Sequence, residues 1–145
     1  PGPGGWPPGL QKGIEGVGGE RLKALGIDPG DAGARQRLAE QNYRLFGAST
    51  VVYLCIDRTL TPWSMFDMGV LAQSIMLAAQ EQGVDSAPAV MLAAYLDILR
   101  DKLDISGELS ILIGVALGYG ESDHQLKRFR TARRSVQEID RFRDH

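Results

Sequence analysis

The 145 residues are 43% hydrophobic and 23% charged, an ordinary balance for one globular domain with one core. A net charge of −2 excludes a general pull toward nucleic acid or an anionic membrane surface. No apolar run approaches the ~20 residues a membrane-spanning helix needs, and no signal peptide is visible. The single cysteine, Cys55, has no internal disulfide partner and sits in an apolar run, so it reads as a buried, reduced thiol of a cytoplasmic protein. The chain starts at Pro1 rather than Met, which reads as a natural start that has been removed.

Residues 1–19 are rich in glycine and proline and read as a flexible, extended arm, with Trp6 as its anchor. The Gly-Val-Gly-Gly of 16–19 lacks the preceding strand and the following Gly-Lys-Ser/Thr of a phosphate loop. A short helix over Glu20–Leu25 stops at Gly26. Asp31 caps the next helix, which runs to about Phe46 with Gly47 as its stop. Its Leu38, Gln41, Asn42 and Leu45 share one side, and Arg35, Arg37, Glu40 and Arg44 suit water. Thr50–Ile56 is a near-continuous apolar run of β-branched and aromatic residues, which predicts a central strand covered on both faces.

The rest of the chain is arranged around Thr61–Leu77. Thr61 is placed to cap a helix and Pro62 fits its first position, where a missing N–H costs nothing. Asp67 lies near the positive end of the helix. Beyond it the helix is apolar almost all round, which predicts burial on several sides, in a core and against a second subunit. Gln73, inside that apolar stretch, then needs a partner. Gln80–Gly83 closes the helix, and Val84–Val90 is a short extended segment with Pro88 at a sheet edge or past a strand end. Met91–Leu103 reads as an amphipathic helix, and Glu108–Tyr119 as a second buried strand whose Gly114 and Gly118 mark close backbone approach or a bulge.

Residues 127–145 form a basic extension carrying Lys127, Arg128, Arg130, Arg133, Arg134, Arg141 and Arg143, opposed by Glu138, Asp140 and Asp144, with a last short helix over Ser135–Arg143. From the residues alone it is either a solvated tail or an anion site, since guanidinium forks match phosphate oxygens. A nucleic-acid surface fits poorly, because the chain is acidic overall and only Phe129 and Phe142 interleave the basic run. His124 and His145 stand far from Cys55, and no metal-ligand or hydrolase spacing is present, so no metal is expected and an organic cofactor would carry any chemistry.

Several stretches, in order, resemble one family. Tyr-Arg-Leu-Phe-Gly-Ala-Ser-Thr-Val-Val-Tyr-Leu-Cys-Ile-Asp-Arg at 43–58 is similar to the F-F-x-A-P-x-x-I-x-x-x-x-D strand of FMN-dependent nitroreductases. The stretch 62–88, with Asp67, Gly69, Gln73, Ala78, Ala79, Gly83 and Pro88, resembles that family's long central helix and the proline after it. Gly-Val-Ala-Leu-Gly-Tyr-Gly at 114–120 resembles its last core strand, and Arg-Thr-Ala-Arg-Arg-Ser-Val-Gln-Glu-Ile at 130–139 its closing segment. Leu-Lys-Ala-Leu-Gly-Ile-Asp-Pro-Gly-Asp at 22–31 is similar to the linking helices of the nitroaromatic-reducing branch. The match covers residues 43–142, the C-terminal half to two-thirds of the family fold.

The resemblance implies an α+β sandwich, a central sheet flanked by helices, built into an intertwined homodimer with FMN at the interface. It implies NADH or NADPH as reductant and a small-molecule electron acceptor such as a nitroaromatic or quinone. By position, Pro88, Ala89 and Val90 match the segment whose backbone approaches the flavin's reactive side. Arg133 matches the phosphate-binding cation, with Arg130 as helper, and Trp63 and Ser64 fall where the family lines its substrate channel. No catalytic acid is identified. The family's N-terminal R-x-S-x-R-like and S-x-x-N-x-Q-P-W-like motifs are missing, and Ser135 stands where proline is common. Two states of the chain stay open, a truncated or naturally short form, and two functions: a flavin oxidoreductase, or a non-catalytic dimeric scaffold that has lost FMN. On this reading 20–126 is the partial core.

Overall fold

The computed structural model describes residues 8–140. Trp6, Arg141, Phe142, Arg143, Asp144 and His145 lie outside the described residues. In chain order the elements are α1 (Pro8–Ala24), α2 (Ala32–Tyr43), β1 (Thr50–Asp57), α3 (Pro62–Glu81), β2 (Asp85–Ala89), α4 (Leu96–Leu103), β3 (Leu109–Gly118), α5 (Gln125–Arg128) and α6 (Val136–Ile139). Two 3-10 turns, Leu45–Gly47 and Val90–Ala93, complete the order.

The sheet has the order β1-β3-β2, both pairings antiparallel. The central strand is therefore β3, whereas β1, expected in the middle, lies at an edge among the described strands. The two apolar runs read alike in sequence, but only β3 has partners on both sides. A bulge falls where Leu54 opposes Ile113 and Cys55 opposes Ile111, leaving Leu112 as the extra residue. The core is small: Leu54, Ile56, Leu92, Ile111, Val115 and Ala116. Cys55 is only half-buried, with Sγ 4.0 Å from the Tyr53 carbonyl.

Gly114, Ala116 and Gly118 alternate along β3 and so share one face. Leu92 lies against Gly114, where a Cβ would stand 2.7 Å from that of Leu92, and Ala48 lies against Gly118. Both glycines thus mark close approach, and the bulge is elsewhere. The helix expected over Met91–Leu103 is broken by the turn Val90–Ala93 and by Tyr95, whose ring packs on Tyr43 at 5.7 Å between centroids. The Tyr43 and Tyr95 hydroxyls stand 3.4 Å apart, which raises the Tyr43 phenol above its ordinary value. Arg100 then ties the α4–β3 loop by donating to the carbonyls of Ile105, Ser106 and Leu109.

Three boundary expectations are corrected. Residues 8–19, read as an extended arm, belong to the helix α1. Leu10, Ile14 and Val17 recur at helical spacing, and Gln11 donates to Glu15 one turn on, which outweighs the glycines. The helix ends past Ala24 in a Schellman motif: the Ile27 N–H bonds the Leu22 carbonyl and Gly26 is left-handed. Asp31 does cap α2, accepting from the Ala34 N–H at 2.9 Å, but the helix stops at Tyr43 because Leu45, Phe46 and Gly47 all take positive φ. The last helix spans only Val136–Ile139, held by the Glu138 carboxylate, which accepts from the Ser135 N–H and hydroxyl. The divisions at 19/20 and 126/127 fall inside α1 and α5.

The α3 helix starts at Pro62 as read, yet Thr61 makes no side-chain cap; its carbonyl takes the Ser64 N–H instead. It ends in a second Schellman motif, with Val84 N–H to the Ala79 carbonyl and Gly83 left-handed. It packs across β1 and β2 through a half-buried stripe of Ser64, Met68, Ala72, Ile75, Met76 and Ala79. Contrary to expectation none of its residues is fully buried within this chain, and Gln73 is exposed. A second apolar stripe, Trp63, Phe66, Val70 and Leu77, faces outward.

Candidate functional site

The strand β2 pairs with β3 on one side only. Among the described strands none covers its other edge, so backbone donors and acceptors remain there for a ligand. Pro88 suits such a strand because it has no N–H to place in a ladder. Pro88 and Val90 are exposed and Ala89 is half-exposed. Two residues on, Leu92 pins the segment onto Gly114.

The far end of the same strand carries a polar knot. The Asp85 carboxylate accepts from the Gly120 N–H at 2.9 Å and from Lys127 Nζ at 3.0 Å, and Lys127 also reaches the Gly120 carbonyl at 3.4 Å. The Lys127 ammonium, then the Gly120 amide, hold the Asp85 carboxyl below the usual carboxylate range. From Lys127 the chain passes into the arginines. Arg130 donates to the Lys127 carbonyl at 2.7 Å and to the Phe129 carbonyl at 2.9 Å. Arg133 donates to the Thr131 carbonyl at 3.2 Å and to its hydroxyl. Both guanidinium groups are exposed, with donors to spare for an anion. A cleft lined by Ala24, Asp123, Gln125, Arg128, Phe129 and Arg130 opens beside this segment.

Trp63 and Ser64 start α3, which joins the end of β1 to the start of β2 and so runs back along the sheet. They belong to the end of the sheet where β1 and β2 finish. Trp63 is 83% exposed and Ser64 half-buried. The expected residues therefore fall apart: Pro88–Val90, Trp63 and Ser64 lie toward one end of the sheet, and Arg130, bonded to the Lys127 carbonyl, lies by the other, with Arg133 three residues further along the chain. The strand between them, Asp85–Ala89, is ~13 Å long. Sequence reasoning placed Lys127 in the basic extension but missed its link to Asp85 and Gly120, because a bond spanning 42 positions leaves no local pattern. Among the described residues no three metal-ligating side chains cluster, and no helix is long and apolar enough to cross a membrane.

The model of the nitroreductase family matches residues 19–119. The 4-nitrobenzoate reductase of Pseudomonas putida is 29% identical over 80% of this chain and 51% of its own length. Nitroreductase NfnB of Mycolicibacterium smegmatis is 30% identical over 86% of this chain and 53% of its own. The chain thus spans about half the length of the curated relatives it matches. Among solved structures, the FMN and NADPH-dependent nitroreductase NfnB from a Sphigopyxis strain superposes with a TM-score of 0.91 at 29% identity, covering 99% of this chain and 64% of that one. The FMN-dependent NfnB from Mycobacterium smegmatis in complex with NADPH gives 0.87 at 27% identity, covering 98% and 64%.

Proposed function

The chain belongs to the nitroreductase family, and from that premise we propose that it serves an FMN-dependent oxidoreductase that takes electrons from NADH or NADPH and delivers them to a nitroaromatic, a quinone or a similar small acceptor. One observation carries the reading: a single open-edged strand, β2, presents Pro88–Val90 at one end and is tied at the other to the segment bearing Arg130 and Arg133. FMN has a flat polar-rimmed head and a phosphate tail, which matches an open backbone edge at one end and guanidinium groups at the other. When bound, the flavin supplies reversible hydride chemistry.

The residues here would bind and orient. The free backbone groups of β2 and the turn after it hydrogen-bond the rim of the ring system. Arg133, with Arg130, holds the phosphate. Trp63, at the start of the outward stripe of α3, offers an aromatic face for a flat acceptor, and Ser64, the next residue, a hydroxyl on the side toward the sheet. No side-chain acid of this chain is required, since solvent can supply the proton.

The same reading makes the working unit a homodimer in the cytoplasm, where the nicotinamide cofactors are found. The outward stripe of α3 is apolar surface of the kind a second copy covers. The test is a visible spectrum and FMN titration of the purified protein, followed by NADPH or NADH oxidation with 4-nitrobenzoate as acceptor. Bound flavin with acceptor-dependent turnover is expected. A preparation that stays colourless after FMN soaking and does not turn over sinks the reading and leaves the flavin-free scaffold.

A further inference from the structure

We infer that Asp85 and Lys127 are positioning residues for phosphate recognition: the ion pair between them sets the arginine segment at a fixed place relative to the flavin-facing end of β2. This rests on the flavin reading above and names a device within that site. The geometry is a chain of direct contacts. Asp85 opens β2, and three residues later the same strand reaches Pro88. Its carboxylate fixes two points of the chain after β3, the Gly120 amide and the Lys127 ammonium. The Lys127 carbonyl in turn accepts from Arg130. One residue thus grips the sheet with its side chain and an arginine with its backbone.

The close approach is specific. A Cβ at position 120 would stand 2.8 Å from the Asp85 carboxylate oxygen, so glycine lets the loop come near enough to bond. The elements past β3 are short, α5 and α6 having four residues each, and apart from the knot α5 is held by its packing on α1, a helix outside the sheet. The hydrogen bonds of Arg130 and Arg133 among the described residues go to residues 127–131. Such local bonds orient a guanidinium but cannot fix its distance from β2. Asp85 and Lys127 do, while touching neither ring nor phosphate in this assignment.

Riboflavin, which is FMN without its phosphate, separates positioning from general damage. The experiment titrates the full chain and its K127M, D85N and K127R variants with FMN and with riboflavin, following flavin fluorescence. We expect K127M and D85N to weaken FMN roughly tenfold, the scale of one charge-assisted hydrogen bond, with riboflavin affinity unchanged. K127R, which keeps the cation, should recover most of the preference for FMN. The inference is overturned if K127M and D85N keep the wild-type preference for FMN over riboflavin, or if both ligands weaken together. Wild-type protein that binds neither ligand overturns the flavin reading itself, and this inference with it.

Discussion

Substituting Gly114 by alanine tests the contact that seats the segment after β2, proposed above to face the flavin. The added Cβ would lie 2.7 Å from Leu92 Cβ, 3.1 Å from Leu92 Cδ1 and 3.2 Å from Tyr53 Cε1. Carbon atoms pack best at ~3.5–4.0 Å, so the first contact is short by about 1 Å. That contact is with a Cβ, which no rotamer change can move. The backbone of Val90–Ala93 must lift from the sheet, or β3 must bend. Overpacking of this kind costs about 1–3 kcal/mol. For a chain of this size that lowers Tm by roughly 3–10 °C. Gly118 is the internal control: its nearest neighbour would be the Ala48 Cα at 3.3 Å, so G118A should cost less. Urea and thermal unfolding of both variants measure the difference. Because Leu92 follows Val90 by two residues, G114A should also weaken FMN. If G114A matches wild type in both midpoint and FMN affinity, or if G118A is the more damaging, the close packing of the turn on β3 is refuted.

Asp85 has its carboxyl depressed in the folded state, so its contribution to stability is present above the unfolded carboxylate value and is lost as pH falls through the folded one. The Tm of wild type should therefore exceed that of K127M at neutral pH and converge with it below about pH 4; a gap that persists in acid argues against the pair. Asp104 caps α4 in the left-handed region, at φ 52. D104G should raise stability by about 0.5–1 kcal/mol, read from urea midpoints, and no gain means the cap is unstrained. Trp63 and Phe66 are 83% and 71% exposed in the single chain. W63A and F66A should weaken self-association by roughly 2 kcal/mol or more in sedimentation equilibrium, whereas side chains that stay in solvent would change it by less than about 0.5 kcal/mol.

Local chemistry was legible at several turns, though not at Thr61, which does not cap α3, or at Gly47, which lies past the end of α2. Gly26 and Gly83 end helices in Schellman motifs, Asp31 caps α2 with its own side chain, and Pro62 opens α3. The strands were visible as apolar runs, but their order was not. Val51–Ile56 and Ile111–Leu117 are chemically alike, and what distinguishes them is how many partners each finds, a property of the whole sheet. The segment 91–103 failed for a related reason. Its helical periodicity is real, yet Leu92 seated on Gly114 and Tyr95 packed on Tyr43 impose a break no local pattern encodes. At the candidate site the residues near one another in sequence, Pro88 to Val90, were read together. The knot of Asp85, Gly120 and Lys127 was invisible because its members carry ordinary surface side chains.

The helix α3 shows how far composition can be taken. An all-round apolar helix predicts cover on more than one side. The sheet covers only the stripe from Ser64 to Ala79. The outward stripe from Trp63 to Leu77 runs ~21 Å along the helix, and its four apolar side chains are each more than half exposed. Burying apolar area gains ~25 cal/mol per Å², so leaving that stripe in water forgoes several kcal/mol, a large fraction of the stability of a domain this size. α1 repeats the pattern with Leu10, Ile14 and Val17 exposed at 52%, 46% and 43%. Two helices that each hold an apolar stripe away from their own sheet are built to be covered by something beyond it. In the homodimer proposed above a second copy covers the α3 stripe, which is why the self-association of W63A and F66A bears on the fold as well as on the assembly.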